Sequence, residues 1–469
     1  MSALARFMIA AAHKSSGKTV VSTGIAAALT ARGQGPAVFK KGPDYIDPMW
    51  LARAAGRPAY NLDFNTMLKD EILALFQASA EGAALSLIEA NKGLFDGVAA
   101  DGCDSNAALA ALLQVPVVLV VDTKGMTRGI APLLRGYVDF DPSIRIAGVI
   151  LNKTGGSRHE GKLRAAVESY TDLPVLGAIG VAPEMDLSER HLGLTVPSDR
   201  ARAAEFVDGL GRRIAQSVDL DALVAVARSA PSCPGVVPPA LSPAASPALW
   251  PGLRIGIARD EAFTFYYPDD LEAFEAAGAE LVPIDTLRDS ALPEVDGLFI
   301  GGGFPEVHAA ALAANTTLRA DIRRALEAGL PAYAECGGLM YLCRSLEWQG
   351  ERHDMVGFFD AETVMQPRPQ GRGYVRFVPE PAALWPASRA EQRAHEFHYA
   401  RLEKLSDPIF GRRVIRGHGI DGQHDALVRG YTQAGFIHLR HAAQSPWVTD
   451  FLEFVAAAKA RRGKKRHSS

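Results

Sequence analysis

The chain has 469 residues, 48% of them hydrophobic and 22% charged, with a formal net charge of −3. That is enough chain for two or three globular domains. The near-balanced charge gives no reason to expect nucleic acid as the main partner, and no apolar run is long and clean enough to span a membrane.

Four cysteines, Cys103, Cys233, Cys336 and Cys343, form neither a metal signature nor a dense disulfide framework. That usage suits a reducing, cytoplasmic setting in which one thiol can be kept free for chemistry. The opening stretch, Met1 to Ala12, carries only Arg6 as a charge and runs straight into a glycine-lysine-threonine turn. It reads as a buried first strand, not a secretory signal.

In chain order, Arg6–Ala12 predicts strand one and Val20–Ala31 a helix. Later come a strand ending at Leu87-Ile88-Glu89, a helix over Ala107–Leu113, and strands at Val115–Val121 and Ile144–Leu151. Continuous apolar strands alternating with helices imply a parallel sheet covered on both faces. Pro231–Pro251 then places seven prolines among Ser and Ala and reads as a linker. The α/β pattern restarts with strands at Leu253–Ala258, Gly297–Ile300 and Pro331–Ala334 and helices at Asp269–Ala277 and Thr317–Ala328. The expected division is 1–230, a linker at 231–251, a second domain at 252–460, and a basic, solvated tail at 461–469.

Ser15-Ser16-Gly17-Lys18-Thr19 follows strand one and opens a helix. Backbone amides there face anionic phosphate, Lys18 adds a point charge, and Thr19 can offer its hydroxyl to magnesium. The long form of this motif would have a first glycine where the chain has Ala12. After strand two, Lys41-Gly42-Pro43-Asp44-Tyr45-Ile46-Asp47-Pro48 holds two carboxylates in a proline-braced turn at the ligand-binding edge of the sheet. Glu89, at a strand end beside the phosphate loop, is a candidate to complete a magnesium shell, with Asp122 a weaker one.

Ala332-Tyr333-Ala334-Glu335-Cys336-Gly337-Gly338-Leu339 reads as strand, sharp turn and helix start. A thiol on such an elbow is favoured as thiolate, and the glycines bring amides close to a developing oxyanion. Gly301-Gly302-Gly303-Phe304-Pro305-Glu306 can supply a second such amide, so Gly303 and Gly337 are the oxyanion candidates. The required base is His438, at the end of the expected strand Ala434–His438, with His441 in reserve. His395 and His398 are expected on the surface or in contact with substrate.

Together these residues resemble the cobyrinic acid a,c-diamide synthase family over nearly the whole chain. Further matches are Gly56-Arg57-Pro58, Asn61-Leu62-Asp63, Gly93-Leu94-Phe95-Asp96-Gly97, Gly156-Ser157-Arg158-His159-Glu160 and Glu189-Arg190-His191-Leu192-Gly193-Leu194. The resemblance implies an α/β chain with a P-loop domain like dethiobiotin synthetase, which binds ATP and Mg2+, and a class I glutamine amidotransferase domain. It implies a carbon–nitrogen ligase that activates a tetrapyrrole polycarboxylate as an acyl phosphate and aminates it with ammonia from glutamine. By that resemblance Ser15, Ser16, Gly17, Lys18 and Thr19 hold ATP, while Thr19, Asp44 and Glu89 hold the metal. Lys41, Tyr45, Asp47 and Asp96 serve the acceptor or its intermediate, and Cys336 and His438 are catalytic. A homodimer is a further expectation for the phosphate-loop half.

Three departures stand out. Lys14 sits where the family has a small residue. Glu89-Ala90-Asn91-Lys92-Gly93 replaces a Glu-Gly-Val-Met-Gly type run, which points to sirohydrochlorin or siroheme as the other acceptor to consider. Arg440 stands two residues after His438, where related enzymes often carry a glutamate. Two rival readings are a regulatory P-loop ATPase fused to a degenerate glutaminase, and a synthetase using free ammonia with Cys336 structural.

Overall fold

The computed structural model describes residues 4–181, 200–235, 249–386, 388 and 390–466. The chain divides into two compact units, Met1–Pro239 and Ala240–Ser469. The Glu189–Leu194 motif and most of the proline-rich 231–251 stretch lie outside the described residues.

In the first unit the order is β1 (Arg6–Ala11), α1 (Lys18–Ala31), β2 (Ala37–Lys41), α2 (Ile46–Ala55), β3 (Ala59–Leu62), α3 (Lys69–Ala80), β4 (Ser86–Glu89) and α4 (Asn106–Leu113). There follow β5 (Val117–Asp122), α5 (Ile130–Phe140), β6 (Ile146–Thr154), α6 (Ser157–Tyr170), β7 (Val175–Gly180), α7 (Arg200–Ser217) and α8 (Leu220–Arg228). The seven strands run β3-β2-β4-β1-β5-β6-β7, every neighbouring pair parallel. Parallel strands need helical crossovers, which cover both faces. That is why β1 and β2 are buried along their whole length. The strand order reverses around β1, and the crevice beyond the carboxyl ends of β1, β2 and β4 receives the phosphate loop and the acidic turn.

The second unit comprises β8 (Arg254–Ala258), β9 (Phe263–Phe265), α9 (Pro268–Ala276), β10 (Glu280–Ile284), β11 (Gly297–Ile300), β12 (Gly302–Gly303), α10 (Ala309–Ala314), α11 (Thr316–Glu327), β13 (Ala332–Glu335) and α12 (Gly337–Leu342). Then come β14 (Ser345–Trp348), β15 (Glu351–Asp354), β16 (Glu362–Met365), β17 (Gly371–Pro379), β18 (Gln392–His398), β19 (Ala400–Glu403), β20 (Phe410–Arg416), β21 (His424–Arg429), β22 (Thr432–Gly435) and α13 (Trp447–Arg466). Its main sheet runs β10-β8-β11-β13-β22-β21-β20-β17-β18. It is parallel from β10 to β22 and antiparallel from there on. An aromatic core of Phe299, Tyr333, Trp385, Trp447 and Phe451 packs under the strand that leads to Cys336.

Two expectations are corrected here. The strand expected to reach His438 ends at Gly435 because the Asp425 carboxylate accepts the amides of Phe436 and Ile437 at 2.8 and 3.4 Å. The basic tail expected from 461 is helical to Arg466, and Arg462 Nη2 donates to Asp296 O at 2.9 Å.

Candidate functional site

The phosphate loop is shaped by backbone that only certain residues tolerate. Ser15 has φ 65° and Gly17 φ 86°. A Cβ on Gly17 would sit 2.4 Å from Asn152 Nδ2, so the turn into α1 needs glycine there. Asn152 Nδ2 donates to Ser16 O at 2.8 Å, and Lys153 Nζ donates to Ser15 O at 3.1 Å and to Asp122 at 2.8 Å. Asn152 and Lys153 thus brace the loop from β6, though no sequence signal singled them out. The Ser16 hydroxyl donates to His13 O at 2.8 Å. Lys18 opens α1 and reaches Lys92 O at 2.5 Å. Burial first, then repulsion from Lys40, lowers its pKa to about 8 despite Glu89, Asp47 and Asp96 nearby.

A buried cation organises the acidic residues. Lys40 Nζ pairs with Asp47, bonds Glu89 Oε1 at 2.7 Å and lies 4.0 Å from Asp44. Thr19 Oγ1 donates to the same Glu89 oxygen at 2.7 Å. Asp44 Oδ1 accepts the amides of Ile46 and Asp47 at 2.9 and 3.1 Å, which fixes the turn that starts α2. Burial raises the Glu89 pKa, against the pull of Lys40. Glu89 Oε2 is buried without a hydrogen-bond partner. The expected metal residues Thr19, Asp44 and Glu89 are therefore brought together, around Lys40. Two carboxylates and a hydroxyl would supply only part of the shell of a hard cation such as magnesium, which also keeps waters and substrate phosphates. Among the described residues, no group of three or more His, Cys, Asp or Glu could hold a metal ion.

The expected acceptor residues are less concentrated. Asp47 lies in the Lys40 cluster, and Tyr45 is half-buried at the start of α2. Asp96 accepts the Gly93 amide at 3.0 Å and acts electrostatically on Lys18. Lys41 is buried on the other face of β2 from Lys40, with Asp63 and Asp104 as its acidic neighbours. Sequence reasoning named Lys41 and passed over Lys40.

In the second unit the elbow that carries Cys336 is strained. Cys336 has φ 48° and ψ −103°, and its amide donates to Gly435 O at 2.7 Å. The glycines around it are sterically required. A Cβ on Gly338 would lie 2.3 Å from Ile300 O, and one on Gly303 would lie 2.0 Å from Ala262 O. A Cβ on Gly337 would lie 3.1 Å from Gly303 N, so the two expected oxyanion residues are adjacent.

His438 is 2% exposed, and a Cβ on Gly302 would lie 2.7 Å from its Cε1. Burial alone would lower its pKa, but hydrogen bonding and attraction to Cys336 and Glu335 raise it to about 10. Nδ1 lies 3.4 Å from Glu335 Oε2. His395 stacks on His438 at 4.9 Å and 14°, and the two exchange backbone hydrogen bonds of 3.3 and 2.8 Å. Of the two placements expected for His395 and His398, on the surface or in contact with substrate, the first is wrong, since both are buried in the sheet at 4% and 3% exposure. His441, the reserve base, is engaged elsewhere. Its amide donates to Asp270 at 2.7 Å and its Nδ1 accepts from Val448 N at 3.3 Å.

Two family models match. Residues 7–194 match the CobQ/CobB/MinD/ParA nucleotide binding domain, and residues 254–446 match the CobB/CobQ-like glutamine amidotransferase domain. Full-length relatives include the cobyrinate a,c-diamide synthase of Magnetococcus marinus, 44% identical over 96% of this chain and 97% of that protein. Those of Dehalococcoides mccartyi and Listeria monocytogenes are each 38% identical. They cover 95% and 92% of this chain, and 97% and 96% of their own.

Proposed function

The chain belongs to the cobyrinate a,c-diamide synthase family, carbon–nitrogen ligases that take the amide nitrogen from glutamine, and from that premise we propose that it amidates the a and c acetate carboxylates of a tetrapyrrole. The observation that carries this reading is one chain with both half-sites. A Lys18–Thr19–Glu89 phosphate site accompanies a strained Cys336 elbow against His438.

A carboxylate resists amine attack because it is anionic and its leaving group is poor. Its oxygen attacks the γ-phosphorus of ATP, giving an acyl phosphate and ADP. Lys18 offsets charge on the transferring phosphoryl, and magnesium held by Thr19, Glu89 and Asp44 would supply further charge neutralisation there. Ammonia then attacks the acyl carbon and expels phosphate. The nitrogen comes from glutamine. The Cys336 thiolate adds to the amide carbon, Gly303 and Gly337 amides hold the oxyanion, and His438 gives its proton to the departing ammonia. Water then hydrolyses the thioester to glutamate and regenerates the thiol.

A second acceptor class rests on the resemblance at the Asn91-Lys92 loop. Asn91 and Lys92 form the loop whose carbonyl meets Lys18, and Asn106 clamps that loop through Asn91 O and Gly93 O at 2.6 and 2.7 Å. By its resemblance at this loop, sirohydrochlorin or siroheme is the alternative acceptor to the corrinoid. The experiment is mass spectrometry after incubation with ATP, magnesium and glutamine, with cobyrinic acid, hydrogenobyrinic acid, sirohydrochlorin and siroheme in parallel. A double hydroxyl-to-amine shift on a corrinoid supports cobyrinate chemistry, and a shift on the siroheme pair alone moves the acceptor. No glutamine hydrolysis at all would favour a regulatory ATPase with a degenerate glutaminase.

A further inference from the structure

The base His438 needs a group to fix its ring, and the position where related enzymes often carry a glutamate is Arg440. That side chain is turned away. Its guanidinium bonds Asp269 Oδ2 at 3.1 and 2.8 Å and covers the Tyr267 ring at 4.9 Å. We infer that Glu335, the residue immediately before the nucleophile, is the carboxylate that orients His438. This rests on the glutaminase reading above and deepens it.

Glu335 is 2% exposed and held at two points. Its Oε1 accepts from Tyr333 Oη at 2.7 Å and from Leu439 N at 2.8 Å, which leaves Oε2 facing His438 Nδ1 at 3.4 Å. The Leu439 bond is decisive for register, because that amide belongs to the residue after the base. One carboxylate thereby ties the strand carrying the nucleophile to the segment carrying the base.

A buried carboxylate is costly unless charge and hydrogen bonds compensate it. Here Tyr333 donates its hydroxyl proton to Glu335 while accepting from Arg412 Nη2 at 3.2 Å. Arg412, 1% exposed, also lies 3.4 Å from Asp425 Oδ2. Asp425 in turn accepts the amides of Phe436 and Ile437, which lead to His438. The network closes on the base from both sides and keeps a positive charge behind the carboxylate.

Among the described residues, the charged and titratable groups facing His438 include Cys336, Glu335 and, stacked on its ring, His395. Burial, then His438 and Arg440, push the His395 pKa well below the usual histidine range, so His395 stays neutral. With Glu335 facing Nδ1–H, Nε2 is the nitrogen left to gain and lose the proton that ammonia departure requires. Glu335 acts through His438 and is a positioning residue.

The test uses the full chain with Glu335→Gln, Glu335→Asp, Tyr333→Phe and Cys336→Ala. Glu335→Gln keeps an acceptor for Tyr333 and Leu439 but presents an amide to His438. Its glutamine-driven kcat is expected to fall roughly 10²–10⁴-fold with KM for glutamine nearly unchanged. Ammonia-driven amidation by the same preparation should be unaltered. The alkaline limb of its glutaminase kcat/KM profile should move to lower pH, because the imidazolium has lost its carboxylate. Glu335→Asp should recover activity by about tenfold or more over Glu335→Gln, and Tyr333→Phe, which leaves the carboxylate, should lose less than about tenfold. A merely structural role would lower the melting temperature and both activities together without moving the pH limb. That result, or a Glu335→Gln enzyme with normal kcat and an unmoved limb, overturns the inference. If Glu335→Gln fails to fold, Glu335→Ala, which also removes the carboxylate, is read in its place, and an unmoved limb with normal kcat overturns the inference. Wild-type hydrolysis no faster than that of Cys336→Ala would instead remove the glutaminase reading itself.

Discussion

Replacing Gly302 by alanine adds one methyl group and aims it at His438, the proposed base. The new Cβ would lie 2.7 Å from His438 Cε1 and 3.1 Å from Phe265 Cδ2. Ordinary carbon–carbon contact begins near 3.5 Å, so the imidazole must retreat by about 0.8 Å. It has little room to do so. His395 stacks behind it, backbone bonds of 3.3 and 2.8 Å hold the two together, and Glu335 sets Nδ1. Overpacking of this kind costs about 1–3 kcal/mol, and a misplacement near 1 Å at a reacting group costs roughly 10²-fold in rate. Gly302→Ala should therefore stay folded, with a modestly lower melting temperature. Its glutamate release should fall by about 10–10²-fold, while ammonia-driven amidation holds at the wild-type rate. Paired assays of the two nitrogen sources on one preparation check this. Normal glutaminase turnover in a variant that is destabilised as expected would refute the placement of His438 at the chemistry.

Lys40→Met removes the cation shared by Asp47 and Glu89. Breaking one partner out of a buried ion cluster costs about 3–5 kcal/mol, so urea unfolding should shift by that amount and ATP-driven amidation should be lost. Lys18 titrates near 8 in the free protein because burial lowers its pKa, and phosphate contact raises it. Below about pH 7 it is protonated in both states and ATP binding takes up no proton from it. Between pH 8 and the higher bound pKa, binding takes up a proton and Kd rises by up to about tenfold per unit. Calorimetry in buffers of different ionisation enthalpy reads that uptake, and its absence at pH 9 would contradict the burial argument. Gly136 is an exposed residue inside α5 with open space where a Cβ would go. Gly136→Ala should stabilise the protein by about 0.5–1 kcal/mol in thermal melts without changing activity.

The two turns proposed to carry chemistry were legible as turns because their signals are local. Glycine and lysine after an apolar run, and Glu-Cys-Gly-Gly after another, state what the backbone must do within a few residues. The parallel strands were legible for a related reason. A strand covered on both faces reads as an unbroken apolar run, as β1 and β5 do. That same burial hid Lys40. In a strand buried on both sides no polarity alternation says whether Lys40 or Lys41 turns toward the acids, and only the register of β2 against β4, with Lys40 opposite Glu89, decides it.

The partners of His438 were out of reach for a different reason. Glu335 lies 103 positions away along the chain and Arg412 26, and nothing in their neighbourhoods marks them as neighbours of the base. Parallel pairing of β13 with β22 brings Glu335 beside Gly435, and the antiparallel strands β20 and β21 bring Arg412 and Asp425 beneath them. The sequence by itself determined which backbone turns form and which residue types stand at them. Only the tertiary structure decided which buried carboxylate faces His438, because that choice is made by pairings between strands distant in the chain.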